Sequence, residues 1–334
     1  MSRSFISIIL PYFNAKQTLA RSIQSVLQQT LIDFELILIN NNSTDNSLEI
    51  ASHFATQDSR IQLLSENQQG VVFAANTGIK AASGKYIARM DADDVAHPER
   101  LERQLHHLES NPEISISATQ VNYQTEHQEL HDFSHFVDWN NELNSWGDIY
   151  QNRFVEFPLV NPTLMFRQST FDSAGYLDEG DFPEDYEWFL RAIEKGHKIE
   201  KLPVRLLDWY DSSSRLTRTD RRYANEAFFA IKTNYLARHL LSLSQNKVWI
   251  WGAGKLGYKR SQLLLNHGVE IRGYIDIKKG KQLGNYPCVH FKDIELKSQP
   301  FIISYITNRD RRDEVRAFLD QKGYKEGLNY IIAG

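Results

Sequence analysis

One cysteine, Cys288, stands among 334 residues. A lone thiol cannot build an internal disulfide framework, and it suits a reducing compartment such as the cytosol. No segment is apolar for long enough to cross a bilayer. The opening, Met1-Ser2-Arg3-Ser4-Phe5, carries no signal-peptide core. The expectation is a cytoplasmic chain whose membrane contact, if any, is peripheral and at the inner face. An excess of charge of either sign is missing too. The formal net charge of -4 gives no general pull toward nucleic acid or anionic lipid, so no nucleic-acid partner is expected. What is present is the composition of an ordinary soluble globular protein, 41% hydrophobic and 24% charged. The length allows two domains and a sizeable core.

Strand and helix signals alternate from the start. Phe5-Ile6-Ser7-Ile8-Ile9-Leu10 reads as a buried strand stopped by Pro11. Asn14 with Gln17 makes a capping-box-like start for a helix carrying Leu19, Ile23, Val26 and Leu27. Glu35-Leu36-Ile37-Leu38-Ile39 is a second strand. It runs into Asn40-Asn41-Asn42-Ser43-Thr44-Asp45, a polar turn that caps a helix through Leu48 and Phe54. Ile61-Gln62-Leu63-Leu64 is a third strand. Gly70 precedes a small-residue helix with Ala74, Ala75 and Ile79, closed by Gly84, and Tyr86-Ile87-Ala88-Arg89-Met90 follows as the next strand. This βαβαβαβ order predicts an α/β protein with a mostly parallel sheet and ligands at its carboxyl edge.

That fourth strand ends in Asp91-Ala92-Asp93-Asp94. Like charges packed so closely are costly unless something cationic neutralises them. Asp-x-Asp is a natural seat for a hard divalent ion, Mn2+ or Mg2+, that also bridges phosphates. Capping of a helix beginning near Pro98 accounts for part of the acidity, but not for three acids directly behind a buried strand. Farther on, Glu184-Asp185 opens a helix carrying Trp188, Leu190 and Ile193 and closed by Gly196. The helix macrodipole alone accounts for acids in that position.

Several blocks, in register, resemble family-2 glycosyltransferases. They are Ser7-Ile8-Ile9-Leu10-Pro11-Tyr12-Phe13-Asn14, Ala74-Ala75-Asn76-Thr77-Gly78-Ile79, Ala82-Ser83-Gly84-Lys85-Tyr86-Ile87 and Asp91-Ala92-Asp93-Asp94. Asn161-Pro162-Thr163-Leu164-Met165-Phe166-Arg167 and Pro183-Glu184-Asp185-Tyr186 continue the match. The resemblance covers roughly the first two thirds of the chain. It implies a GT-A fold, a nucleotide-diphosphate sugar donor, a divalent metal and inversion at the anomeric carbon. It further implies a saccharide or lipid-linked hydroxyl acceptor, in the synthesis of a bacterial surface polysaccharide or glycoconjugate, and leaves a homo-oligomer open. Carried over by position, Pro11, Tyr12 and Asn14 fall beside the base and ribose, with Tyr12 stacking on the base. Asn41 and Asn76 belong to the same donor site. Asp93 becomes the direct metal ligand, while Asp91 meets the ribose or shares the metal. Asp185 becomes the general base, ionised near neutral pH by its place at a helix amino end, with Glu184 as a supporting ligand or orienter. Where the family usually has Asp-Asp-Gly, this chain has Asn40-Asn41-Asn42. An Asn donates as well as accepts, which leaves the base open, and plain turn chemistry explains the triplet equally well.

The stretch Tyr123, His127, His131, His135 tempts a zinc reading, but it has no cysteine and falls where the family varies. A solvated or acceptor-facing loop is expected instead. The aromatic segment from Phe133 to Tyr150, with Trp139 and Trp146, is either an acceptor wall or packed core. No His stands between Asp208 and Arg218, where many relatives have one. Arg215 and Arg218 either grip a diphosphate or belong to a polar linker.

The tail reads as a separate unit, dividing the chain into 1–243 and 244–334. A strand, Lys247-Val248-Trp249-Ile250-Trp251, leads into Gly252-Ala253-Gly254-Lys255-Leu256-Gly257, a helix, and a strand ending in Asp276 at the ribose-binding spacing. This small Rossmann-like module is either a nucleotide site built on Gly252, Gly254, Gly257 and Asp276 or a docking domain. Three other functions are weighed. A nucleotidyltransferase needs a Gly-rich basic loop after the first strand, which Pro11-Tyr12-Phe13-Asn14-Ala15-Lys16 is not. An oxidoreductase lacks a hydride-site domain. A non-catalytic nucleotide-sugar-binding scaffold is favoured by the Asn triplet and opposed by Asp91, Asp93 and Asp185.

Overall fold

The structure, a computed structural model, describes residues 5–125, 132–213, 215–294 and 300–334. The chain divides into two compact units, Met1–Ile149 with Pro158–Tyr223, and Tyr150–Phe157 with Ala224–Gly334.

The first unit is built on an eight-stranded mixed sheet of order β3-β2-β1-β4-β7-β6-β8-β5. Its strands are β1 Ile6–Tyr12, β2 Phe34–Asn40, β3 Ile61–Ser65, β4 Tyr86–Arg89, β5 Val95–Ala96, β6 Ile114–Thr125, β7 Met165–Arg167 and β8 Lys198–Asp211. The first four pair in parallel as the alternating pattern predicts. Beyond β4 the sheet turns mixed, because the short β7 runs antiparallel between β4 and β6. Burial explains the parallel half: Ile6, Ile8, Leu10 and Tyr12 join one core while Ile9 is covered on the other face. Close helix packing needs small residues. A Cβ on Gly78 would lie 2.6 Å from Ile9, and one on Gly84 would lie 2.7 Å from the Ser7 backbone N.

Two local readings change. Pro11 does not stop β1, which continues to Tyr12 paired with Asn40. Asn14 caps no helix. It sits at φ 48° and its Oδ1 accepts from the Thr44 backbone N at 2.8 Å, while the helix begins at Leu19.

The second unit carries a five-stranded, all-parallel sheet of order β11-β10-β9-β12-β13. The strands are β9 Lys247–Trp251, β10 Glu270–Asp276, β11 Cys288–His290, β12 Phe301–Ser304 and β13 Tyr330–Ile332. The helix Asn225–Ser242 groups here, not with the first domain as a boundary after residue 243 would have it. Its buried Lys232 donates to the Val155 carbonyl at 3.0 Å, and Arg260 lies 3.4 Å over its Phe229 ring.

Candidate active site

The turn behind β4 gathers Asp91, Asp93 and Asp94, whose carboxylate oxygens lie within 4.8 Å of one another. Three guanidiniums surround them. Arg89 Nη2 is 3.6 Å from Asp91 Oδ1, and Arg215 Nη1 is 3.9 Å from Asp93 Oδ2 and 4.0 Å from Asp94 Oδ1. Arg21 donates to the Asp93 carbonyl at 2.9 Å and stacks 3.8 Å over the Tyr210 ring. Asp94 is wholly buried. Its Oδ1 accepts from the Tyr210 backbone N at 2.8 Å and its Oδ2 has no partner. Burial, with the neighbouring Asp93 charge, pushes the Asp94 carboxyl well above the usual carboxylate range. Burial also raises Asp93, against the opposing pull of Arg215.

Because the arginines already offset much of the like charge, acid proximity by itself no longer demands a metal. The orphaned Asp94 oxygen is the stronger sign. Three hard oxygens close together, one buried and unpaired, fit a divalent cation.

The second acidic group begins the helix Glu184–Glu194. Glu184 is buried, and the Tyr223 hydroxyl donates to it from 2.8 and 2.7 Å of its two oxygens. Asp185 Oδ1 accepts from the Tyr186 backbone N at 2.7 Å. Burial, then the Glu184 charge, pushes the Asp185 carboxyl up to about 8. The expected lowering by the helix end is therefore overturned. A helix terminus offers at most about 2 kcal/mol, little more than one pH unit, and desolvation outweighs it.

Asp185 and Arg89 line one cavity of about 20 Å3 together with Asn161, Phe166 and Trp188. Arg89 was not singled out in the sequence. Its signal was there: a lone cation in the apolar run Tyr86-Ile87-Ala88, two residues before the acids.

Other expected site residues have different tasks. Tyr12 packs into the core at 3% exposure, with its hydroxyl unpartnered and pushed up to about 12 by burial. It cannot stack on a base; the exposed ring beside it is Phe13. Pro11 remains at the β1 edge of the site, half-buried. Asn41 spends its amide on the loop before the helix Val71–Ala81. It donates to the Glu66 and Gln68 carbonyls at 3.1 and 2.7 Å and accepts from Gly70 N at 2.8 Å and Gln69 Nε2 at 3.3 Å. Asn76 clamps both backbone groups of Leu177 at 2.9 and 3.1 Å. Asn41 and Asn76 shape the site's walls through these bonds.

The arginine pair also splits. Arg215 stays beside the acids, but Arg218 holds the buried Asp211 bidentately at 3.1 and 2.6 Å, and Tyr123 donates to the same carboxylate at 2.7 Å. Arg218 is thus a structural partner, not a diphosphate grip. Arg218→Ala strands a buried carboxylate, which costs about 3–5 kcal/mol. In a unit of this size the melting temperature is expected to fall by roughly 10 °C. Thermal unfolding within 2 °C or so of the parent would remove that role.

The aromatic segment is core: Phe133 and Phe136 pack on Trp209 with centroids 5.7 and 6.4 Å away, and Phe136 packs on Trp139. His127 and His131 lie outside the described residues. His135 is exposed, and no histidine joins a ligand cluster among the described residues.

In the second unit, Gly252 sits at φ 114° and a Cβ on Gly257 would lie 2.2 Å from the Gly252 carbonyl, so both glycines are required by the turn. Gly254 precedes the helix Lys255–Leu265. Asp276 is already engaged, accepting from Ala253 N at 3.1 Å, Lys278 N at 2.9 Å and Lys281 Nζ at 2.7 Å. Burial alone would raise its carboxyl, but Lys281 and these backbone donors hold it low. A ribose hydroxyl at Asp276 would have to displace Lys281.

Comparison with known proteins agrees with the geometry. A glycosyltransferase of Haemophilus influenzae whose function is uncharacterised is 31% identical over 57% of this chain and 61% of its own length. The match thus spans less than two thirds of that relative. The amylovoran biosynthesis glycosyltransferase AmsE of Erwinia amylovora is 29% identical over 59% of this chain and 73% of its own. Among solved structures, S. aureus TarS in complex with UDP-GlcNAc superposes with a TM-score of 0.57 at 15% identity, over 79% of this chain and 71% of that one. At that identity the likeness shows the GT-A fold. The sequence profile of Glycosyl transferase family 2 matches residues 7–172. That segment, which holds β1, the acidic turn and β7, is a glycosyltransferase family 2 domain.

Proposed function

We propose that this chain moves a sugar from a nucleotide-diphosphate sugar to a hydroxyl acceptor, with inversion at the anomeric carbon. One juxtaposition carries the reading. An acid trio stands at the carboxyl end of β4, and Asp185 lines a cavity with Arg89, which in turn faces Asp91. Asp91, Asp93 and Asp94 are the residues that would hold a divalent cation, which when bound offsets charge on the leaving diphosphate. Asp185 takes the acceptor's proton as the acceptor oxygen bonds to the anomeric carbon. The bond from that carbon to the diphosphate oxygen breaks, and the diphosphate leaves with the electron pair. Glu184, pinned by Tyr223, keeps Asp185 at the helix start. Arg215 stands where a guanidinium can meet the diphosphate.

The amylovoran biosynthesis role in the name of AmsE supports a part in polysaccharide assembly, and the UDP-GlcNAc bound by TarS supports a nucleotide-sugar donor; the acceptor in this reading is a saccharide or lipid-linked hydroxyl. The test is a binding screen of UDP, GDP, CDP and dTDP with and without Mn2+, followed by release of the bound nucleotide from its sugar conjugates. Metal-enhanced binding of one nucleoside diphosphate is expected. No binding of any of the four, with the fold intact, would sink the reading.

A further inference from the structure

Arg89 is 4% exposed, and its Nε and Nη1 have no hydrogen-bond partner. Only Nη2 approaches a carboxylate, Asp91 at 3.6 Å. Leaving buried, charged donors unmet is costly, so such a group persists where something accepts from it in the working state. The cavity beside it offers one acidic side chain, Asp185; Ile79, Leu159, Leu164, Phe166 and Trp188 supply most of its apolar wall. A space of about 20 Å3 also holds one water, which needs at least about 10–15 Å3.

We infer that Arg89 is a positioning residue for the transfer: its unpaired donors hold the Asp185 carboxylate through that single water, aimed at the acceptor. This rests on the reading of Asp185 as base. The groups around Asp185 are Glu184 on its own helix, Tyr223 and Arg222 from the turn Arg221–Tyr223, and Arg89 and Asp91 from β4 and its turn. Glu184 and Asp91 repel a charge on Asp185, and Arg89 opposes them. With one nitrogen on Asp91 and two free, Arg89 links the donor-side acids to the acceptor-side acid, so loading of the donor side is felt at the base.

The test is the titration of Asp185 in the full chain, labelled with carboxyl-13C aspartate. The resonance absent from Asp185→Asn identifies it. Arg89→Met puts an apolar side chain of similar length into an apolar cavity, removing the two unmet donors together with the charge that faces Asp91. Cooperative thermal unfolding of each variant shows that it is folded before its titration is read. The Asp185 midpoint is expected to rise by roughly 1–3 pH units in Arg89→Met, the scale of a neighbouring guanidinium. Arg89→Lys, which keeps the charge, should recover at least half of that rise. A midpoint unchanged in Arg89→Met overturns the inference, as does an equal rise in both variants. Failure of the base reading shows separately: Asp185→Asn would then transfer sugar at the parental rate, whatever the midpoint does.

Discussion

Asp185→Asn is expected to cut sugar transfer by on the order of a hundredfold or more, the usual scale for a positioned general base. Nucleoside diphosphate binding should persist, because the donor acids sit on a different turn. The same variant reports on stability. With the folded carboxyl raised to about 8, both folded and unfolded chains hold the proton below about 4. As pH rises from there to about 8, the unfolded chain gives up its proton while the folded one retains it, and stability is lost. Asp185→Asn is therefore expected to raise the melting temperature at pH 8 by several degrees, and hardly at all at pH 4. The parent's transfer rate should climb with pH toward about 8 as the base ionises. Parental transfer by the variant would reduce Asp185 to a helix cap and move the search for the base to Glu184 or Asp181.

Asp93→Asn is expected to abolish metal-stimulated binding of nucleoside diphosphate. Of the three acids it is the cleanest probe. Asp94 is wholly buried and ties down Tyr210, so its replacement also disturbs β8, and Asp91 is engaged by Arg89. Asp93 keeps 35% of its side chain exposed, and Arg215 Nη1 stands 3.9 Å from its carboxylate. Replacing even a supporting residue of a metal site typically costs 10–100-fold in affinity, so loss of a direct ligand should cost at least tenfold. Calorimetric titration of UDP or GDP with and without Mn2+ reads this out. Unchanged metal-dependent affinity would place the cation, if any, on other oxygens.

The parallel half of the sheet was legible because β1, β2 and β4 are nearly unbroken apolar runs, as strands covered on both faces must be. The acid trio behind β4 was legible because three acids directly after such a run exceed what helix capping explains, whereas Glu184-Asp185 was legible only through the resemblance. Three things were not. β6 and β8 mix polar with apolar residues along their length, so no unbroken apolar run marks them, and the three-residue antiparallel β7 between β4 and β6 has no signal of its own. Asn41 and Asn76 stand in motif positions, yet their amides close loops, and sequence cannot show which of two polar duties a side chain performs. Asp185 needed its neighbours: the helix end predicts a low carboxyl, while its burial and the flanking Glu184 exist only once the fold does.

The short run Tyr150–Phe157 has a bearing on synthesis. It packs with residues made much later, since Lys232 reaches back to Val155 across 77 positions. On a ribosome adding roughly 5–20 residues per second, Val155 waits about 4–15 s for that ammonium to be made. Phe154, buried once folding is complete, meets His239 only after a longer wait still. A chain that stopped at Tyr223 would leave the Val155 carbonyl without that ammonium for good.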